Sequence, residues 1–168
     1  MLITTRLSFL QQVQKAAISG YHHYTTGVID IQKLPGFVKK FQTHYQINQT
    51  RQQAYILRKK GLASAKFYCY ADEIDILGQK IFWVLLFTEG KTEANEKEQL
   101  KDLKLKKERF EYSDYQLIQK PRADGKQKFT FQLKADSFNY YQREIRKRVR
   151  NHNINNLNRL IIHFNKMA

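Results

Sequence analysis

Strand signals interleaved with amphipathic helical stripes predict an α+β fold, a mainly antiparallel sheet of four to five strands packed with about five to six helices. Three observations carry the prediction. The run Ile81 to Phe87, IFWVLLF, is apolar throughout and reads as a central strand buried on both faces. The segments Ala63 to Tyr70 and Lys128 to Lys134 alternate with a period of two, the pattern of half-buried strands. Between and around them, apolar residues return at steps of three to four, as they do on one face of a helix.

Taken in order, Leu7, Leu10, Val13 and Ala17 share a face, so a first helix is expected over about residues 5 to 18, with Thr4 or Thr5 as cap and Gly20 as stop. Tyr21 to Tyr24 and Val28 to Ile31 flank Thr25-Thr26-Gly27, which predicts two short extended pieces around a turn. Ile31, Leu34, Phe37, Phe41 and Tyr45 define a second helix with Pro35 tolerated in its first turn. Thr50 caps a third, RQQAYILRKK, which ends at Gly61 with Arg58, Lys59 and Lys60 in the turn where cations suit the dipole. The Ala63 and Ile81 strands form an antiparallel hairpin across ADEIDILGQK. Thr92 opens a helix with Glu93, Glu96 and Glu98 in its first turns, ahead of Leu100 and Leu103 and an LKLKK tail. Phe110 to Ile118 and Lys128 to Lys134 bracket a turn at residues 121–125 and make a second hairpin of the same sheet. Asp136 or Ser137 then caps a basic helix, Phe138 to Arg150, and Asn151 to Asn153 separates it from a final stripe, Ile154, Leu157, Ile161 and Phe164.

The 168 residues suit one domain, 1–168, with one sizeable core. Thirty Lys plus Arg against fifteen Asp plus Glu give a formal charge of +15, a self-repulsion that a polyanion relieves. The excess is segregated. Residues 61–100 carry four cations and seven carboxylates, while 1–60 carry nine and one, and 135–168 seven and two. Such segregation points to a directed surface for nucleic acid. A single cysteine, Cys69, rules out an internal disulfide, and no Cys or His pair stands at zinc spacing. With no apolar run of membrane length and no leader-like start, the expected setting is the reducing cytoplasm, without membrane association, metal or cofactor.

The basic helix carries the strongest functional signal. Phe138, Tyr141, Ile145 and Val149 form an apolar face expected to pack on the sheet, which leaves Arg143, Arg146, Lys147, Arg148 and Arg150 to hold phosphates. Arg58, Lys59 and Lys60 are expected to support them. Tyr68 and Tyr70 alternate away from the apolar side of their strand and are candidates for stacking on unpaired bases. A metal-dependent nuclease is the enzymatic alternative, because Asp75 precedes a strand ending Glu89-Gly90-Lys91, an Asp then Glu-x-Lys order. Gly90 argues for a turn there instead. Tyr21-His22-His23-Tyr24 suggests nicking or ribonuclease chemistry, but adjacent strand residues point to opposite faces and serve a joint site poorly.

On Gly20 to Gly27, GYHHYTTG, with Gly61 to Lys66, GLASAK, and Trp83 to Gly90, WVLLFTEG, the chain resembles poorly characterised small basic proteins of bacterial plasmids and integrative conjugative elements. The resemblance covers the first half of the chain, implies a mobile-element setting, and transfers no active-site residue. The expectation is therefore a non-catalytic binder of DNA first and RNA second. A subunit that meets nucleic acid inside a larger nucleoprotein complex is a further alternative.

Overall fold

The apolar run sits where its composition demands. In the strand Lys80–Thr88, Ile81, Trp83, Leu85 and Phe87 enter one hydrophobic cluster, while Val84 and Leu86 enter another and Phe82 packs against it. A strand buried on both faces has no polar side to show, which is why its sequence does not alternate. The structure, a computed structural model, describes residues 2–71, 80–125, 127–152 and 154–167, with side chains 163–167 excepted.

Along the chain run β1 (Leu2–Ile3), α1 (Arg6–Ile18), β2 (Tyr21–Asp30), α2 (Leu34–Tyr45), α3 (Arg51–Lys59), β3 (Ala65–Tyr70) and β4 (Lys80–Thr88). There follow α4 (Ala94–Lys97), β5 (Lys101–Asp102), β6 (Glu111–Tyr112), β7 (Tyr115–Pro121), β8 (Gln127–Leu133), α5 (Ala135–Arg150) and α6 (Ile154–Met167). A five-stranded sheet has the order β1-β3-β4-β2-β5, antiparallel except for β1 beside β3. A separate antiparallel sheet has the order β6-β7-β8. The fold is thus α+β.

Two apolar layers hold the large sheet. On one side α2 lays Phe37, Phe41 and Tyr45 on Phe67, Trp83 and Phe87, with Phe41 and Trp83 ring centroids 5.5 Å apart in an edge contact. On the other, α1 buries Phe9, Leu10, Val13, Ala16 and Ala17. Phe9 is wholly inaccessible and links the two sheets, its ring centroid 5.4 Å from Tyr70 of β3 and 5.5 Å from Tyr112 of β6. The small sheet is fastened to α1 by Gln14, whose amide donates to the Phe129 carbonyl at 3.0 Å.

Several sequence expectations change here. The second hairpin pairs as expected, Tyr115 with Leu133 through Pro121 with Gln127, but in its own sheet, since β1 and β5 occupy the edges of the first. Ser113, in the left-handed region at φ 52°, breaks the Phe110 to Ile118 segment into β6 and β7. Thr25-Thr26-Gly27 is no turn, because β2 runs unbroken from Tyr21 to Asp30 against β4. A Cβ on Gly27 would lie 2.7 Å from Cζ2 of Trp83, so this glycine makes room for an indole across the sheet. The acidic helix shrinks to one turn at Ala94–Lys97, after which β5 pairs with β2 and Leu103 is buried.

Candidate nucleic-acid interface

The basic helix forms, but not as a helix laid on the sheet. None of its described side chains is buried, and Phe138, Ile145 and Val149 of the expected packing face are exposed. What holds α5 is polar. Asp114, in the turn between β6 and β7, accepts from Ser137 Oγ at 2.8 Å and from the Tyr141 hydroxyl at 3.1 Å. Ser137 is therefore a tether to the small sheet, and Lys134 stands at the cap position without a side-chain cap bond. The contact face is rotated towards Ser137, Glu144 and Arg148, and of the expected apolar stripe it keeps only Tyr141.

This rotation divides the five basic residues. Arg148 is committed to structure: its guanidinium pairs with Glu144 one turn earlier at 3.3 Å and donates to the Asn156 carbonyl of α6 at 2.8 Å. Arg143, Arg146, Lys147 and Arg150 occupy an arc of about 100° on the other side at 100° per residue. All four are exposed, and none has an ion-pair partner among the described residues. Guanidinium and ammonium groups so displayed suit phosphate oxygens along a backbone.

A second cationic feature lies between α3 and β3. Thr50 and Gln53 close a capping box at the start of α3, the Gln53 amide donating to Thr50 Oγ1 at 3.2 Å and the Thr50 amide to Gln53 Oε1 at 2.8 Å. Beside it opens a cleft of about 540 Å³ lined by Arg51, Ala54, Arg58, Lys66, Tyr21 and Gln49, among others. The Lys66 ammonium stands 4.6 Å from the Tyr21 ring centroid, and burial, with Arg58 nearby, pulls its pKa below the usual lysine value. Arg58 is steadied through Nε, which donates to the Ala54 carbonyl at 3.1 Å. The floor is ordered by hydroxyls. Ser64 Oγ donates to Gln49 Oε1 at 2.7 Å, so in the 2.9 Å contact with Tyr21 its single proton is spent and the tyrosine is the donor.

No protein family, no curated protein and no solved structure matches the chain. The site must be read from its own residues.

Of the expected supporting cations, Arg58 lines the cleft, Lys59 lies with its ammonium 5.0 Å from the Tyr55 ring centroid, and Lys60 is the C-terminal cap of α3 and is not among the residues that line the cleft. Arg51, Tyr55 and Lys66 escaped sequence reasoning. The first two had a usable signal, since Arg51, Tyr55 and Arg58 are spaced i, i+4, i+7. Lys66 joins them only through the fold.

The stacking expectation fails for Tyr70, which is buried between Phe9 and Tyr112 and has no face to offer a base. The alternation in β3 is real, but both faces of the sheet are covered, so the side opposite Phe67 and Cys69 is a second core. Tyr68 belongs to that side. It is half-buried, its phenol pushed up to about 12 by burial, and the depression it lines with Thr5, Ser8 and Gln12 has no cationic lining residue.

The residues of the nuclease alternative do not form an extended strand end. Glu89 and Gly90 lie in a bend after β4, and the Lys91 amide donates to the Gly61 carbonyl at 2.9 Å. Glu89 is exposed and paired with Lys104 at 2.8 Å, which holds its carboxyl below the usual range. Asp75 lies outside the described residues, among which no group of three His, Cys, Asp or Glu is placed to hold a metal ion. His22 sits at a register shift between β2 and β4 that falls between Tyr21 and His23. His22 Nδ1 is buried without a hydrogen-bond partner among the described residues, and burial, followed by Lys104, lowers its pKa. Cys69 is buried, which raises its thiol pKa and makes it a poor nucleophile. Among the described residues no helix is long and apolar enough to cross a membrane.

Proposed function

We propose that this protein holds nucleic acid without chemistry on it, DNA in the first instance and RNA next, through the outward face of α5. One observation carries the reading: Arg143, Arg146, Lys147 and Arg150 share an exposed arc with no carboxylate partner among the described residues, on a chain of formal charge +15. Four cations on one helical face cost mutual repulsion, which a phosphate backbone converts into attraction and counterion release. Asn139 and Gln142 are the amides nearest this face; the cations are assigned to the backbone, whose contacts fix position without carrying sequence information, and no base is assigned to either amide. The mobile-element setting implied by the GYHHYTTG resemblance belongs to the same proposal.

The test is binding of duplex DNA and duplex RNA of one sequence to the Arg146→Glu/Arg150→Glu variant, over a range of salt concentrations. Affinity should fall, and for DNA the slope of log affinity against log salt should shrink by roughly two, near 0.9 per lost phosphate contact. Arg148→Gln is the internal control, and should loosen the α5–α6 pair while changing that slope little. An unchanged affinity and slope in the double variant would remove α5 as the binding surface. Stronger binding of RNA would reverse the preference for DNA.

A further inference from the structure

We propose that the cleft between α3 and β3 binds the phosphate of a nucleotide unit, with the Tyr55 ring as the shelf for its base. Arg51, Arg58 and Lys66 line the cleft, and no Asp or Glu is among its lining residues. Bringing three cations together without a carboxylate is unfavourable unless an anion completes the set. Two of them are also held in place beforehand. Lys66 is fixed over the Tyr21 ring and Arg58 is anchored to the Ala54 carbonyl, so less side-chain freedom is lost when a ligand arrives.

A bare oxyanion would fill only part of the site. Past Arg51 and Arg58 a second depression of about 480 Å³ is lined by the same two arginines with Gln52, Tyr55 and Ile56. Tyr55 and Ile56 are about half exposed, at 53% and 50%, although each is a large apolar side chain on a short helix. A nucleotide matches this sequence of surfaces, with phosphate among the cations and a flat ring against tyrosine, opposite or in place of the Lys59 ammonium. The first-turn amide of Gln53 is already taken by Thr50, so the cations and the aromatic carry the recognition and the helix end does not. The same chemistry is presented by a free nucleoside monophosphate and by the phosphorylated end of a strand. The cleft and α5 are built on different elements, so this assignment does not depend on the α5 reading.

The experiment uses the full chain and calorimetric titration with adenosine 5′-monophosphate, adenosine and inorganic phosphate. The monophosphate should bind at least about tenfold more tightly than adenosine, the worth of one charge-assisted contact. Lys66→Met and Arg51→Gln, each checked for folding by circular dichroism, should each lose about tenfold for the monophosphate. Tyr55→Ala should weaken the monophosphate and leave inorganic phosphate unaffected. A 5′-phosphorylated oligonucleotide that outcompetes both the monophosphate and its own 5′-hydroxyl form, in a manner sensitive to Lys66→Met, identifies a strand end as the ligand. Equal competition by monophosphate and phosphorylated oligonucleotide identifies the nucleotide alone. The proposal is overturned if adenosine and its monophosphate bind alike, or if folded Lys66→Met and Arg51→Gln proteins keep full affinity. It is equally overturned if monophosphate binding disappears in Arg146→Glu/Arg150→Glu, which would move the site to α5.

Discussion

His22 has its ring 5.5 Å from that of Phe129, with Nδ1 buried and the Glu89 carboxylate 4.0 Å away, beyond hydrogen-bonding reach. Burial and the Lys104 ammonium both favour the neutral ring, so the folded protein binds a proton here less readily than the unfolded chain, whose histidine titrates near 6.5. Where the unfolded state holds more protons, stability rises with pH. The His22 contribution is therefore fully present above about pH 6.5 and is lost as pH falls through the lowered folded value. His22→Gln, which cannot take up a proton, should show a smaller fall in thermal midpoint than the wild type between about pH 7 and pH 5.5. Parallel midpoint curves for the two proteins would assign the acid sensitivity to other groups. No sequence signal marks this residue as half-buried, because its partner Phe129 lies far along the chain in β8.

At the scale of elements, legibility followed the range of the interactions that decide each one. The α3 boundaries were readable because the Thr50 and Gln53 capping box is local, and the α2 stripe because that helix packs its marked face. In α1 the marked Leu10, Val13 and Ala17 are buried, but Leu7 is exposed and the unmarked Phe9 enters the core. The β3–β4 and β7–β8 pairings were readable from alternation and turn residues. Where a distant residue decides, the local signal misleads. Gly27 has the look of a turn residue, yet it pairs with Trp83 in the middle of β2 and β4 and lies under that indole. Gly27→Ala tests this directly. An alanine methyl 2.7 Å from Cζ2 forces the indole or the strand to move, at a cost of about 1–3 kcal/mol, the range for overpacking a filled interior. Chemical denaturation of the variant measures that loss. A stability equal to wild type would show that the indole moves aside without cost and that the contact does not require glycine. For α5 the periodicity of Phe138, Tyr141, Ile145 and Val149 marks an apolar face, but nothing in the sequence tells a face that packs from one that stays exposed, and three of these four are exposed. The pairing of Asp114 with Ser137 and Tyr141 settled the helix's rotation, and that pairing is long-range.

At the scale of the molecule, the burial pattern separates what folds from what is displayed. Both hydrophobic clusters and the residues packed against them fall between Leu2 and Phe131. The last segment adds only Leu160 to the buried set of the described residues, while Phe138, Val149, Ile154, Ile161 and Ile162 are exposed. It also carries seven Lys and Arg against two Asp and Glu, so removing residues 135–168 lowers the formal charge from +15 to +10. A protein ending at Lys134 should therefore keep a single cooperative unfolding transition, with a midpoint within a few degrees of the full chain, because little buried apolar area leaves with the segment. Asp114 would lose Ser137 and Tyr141, but a carboxylate returned to water recovers its hydration, which limits the cost. If α5 is the backbone-holding surface, the shortened protein loses most of its salt-dependent affinity for duplex DNA, whereas the cleft of Arg51, Arg58 and Lys66 stays intact and should still take adenosine 5′-monophosphate. Denaturation and titration on one preparation separate the cases. A shortened chain that no longer unfolds cooperatively would show that the C-terminal helices are part of the folding unit. A shortened chain that folds and holds DNA as tightly as before would place the nucleic-acid surface on the body of the protein, where α3 presents the densest remaining cluster of unpaired cations described above.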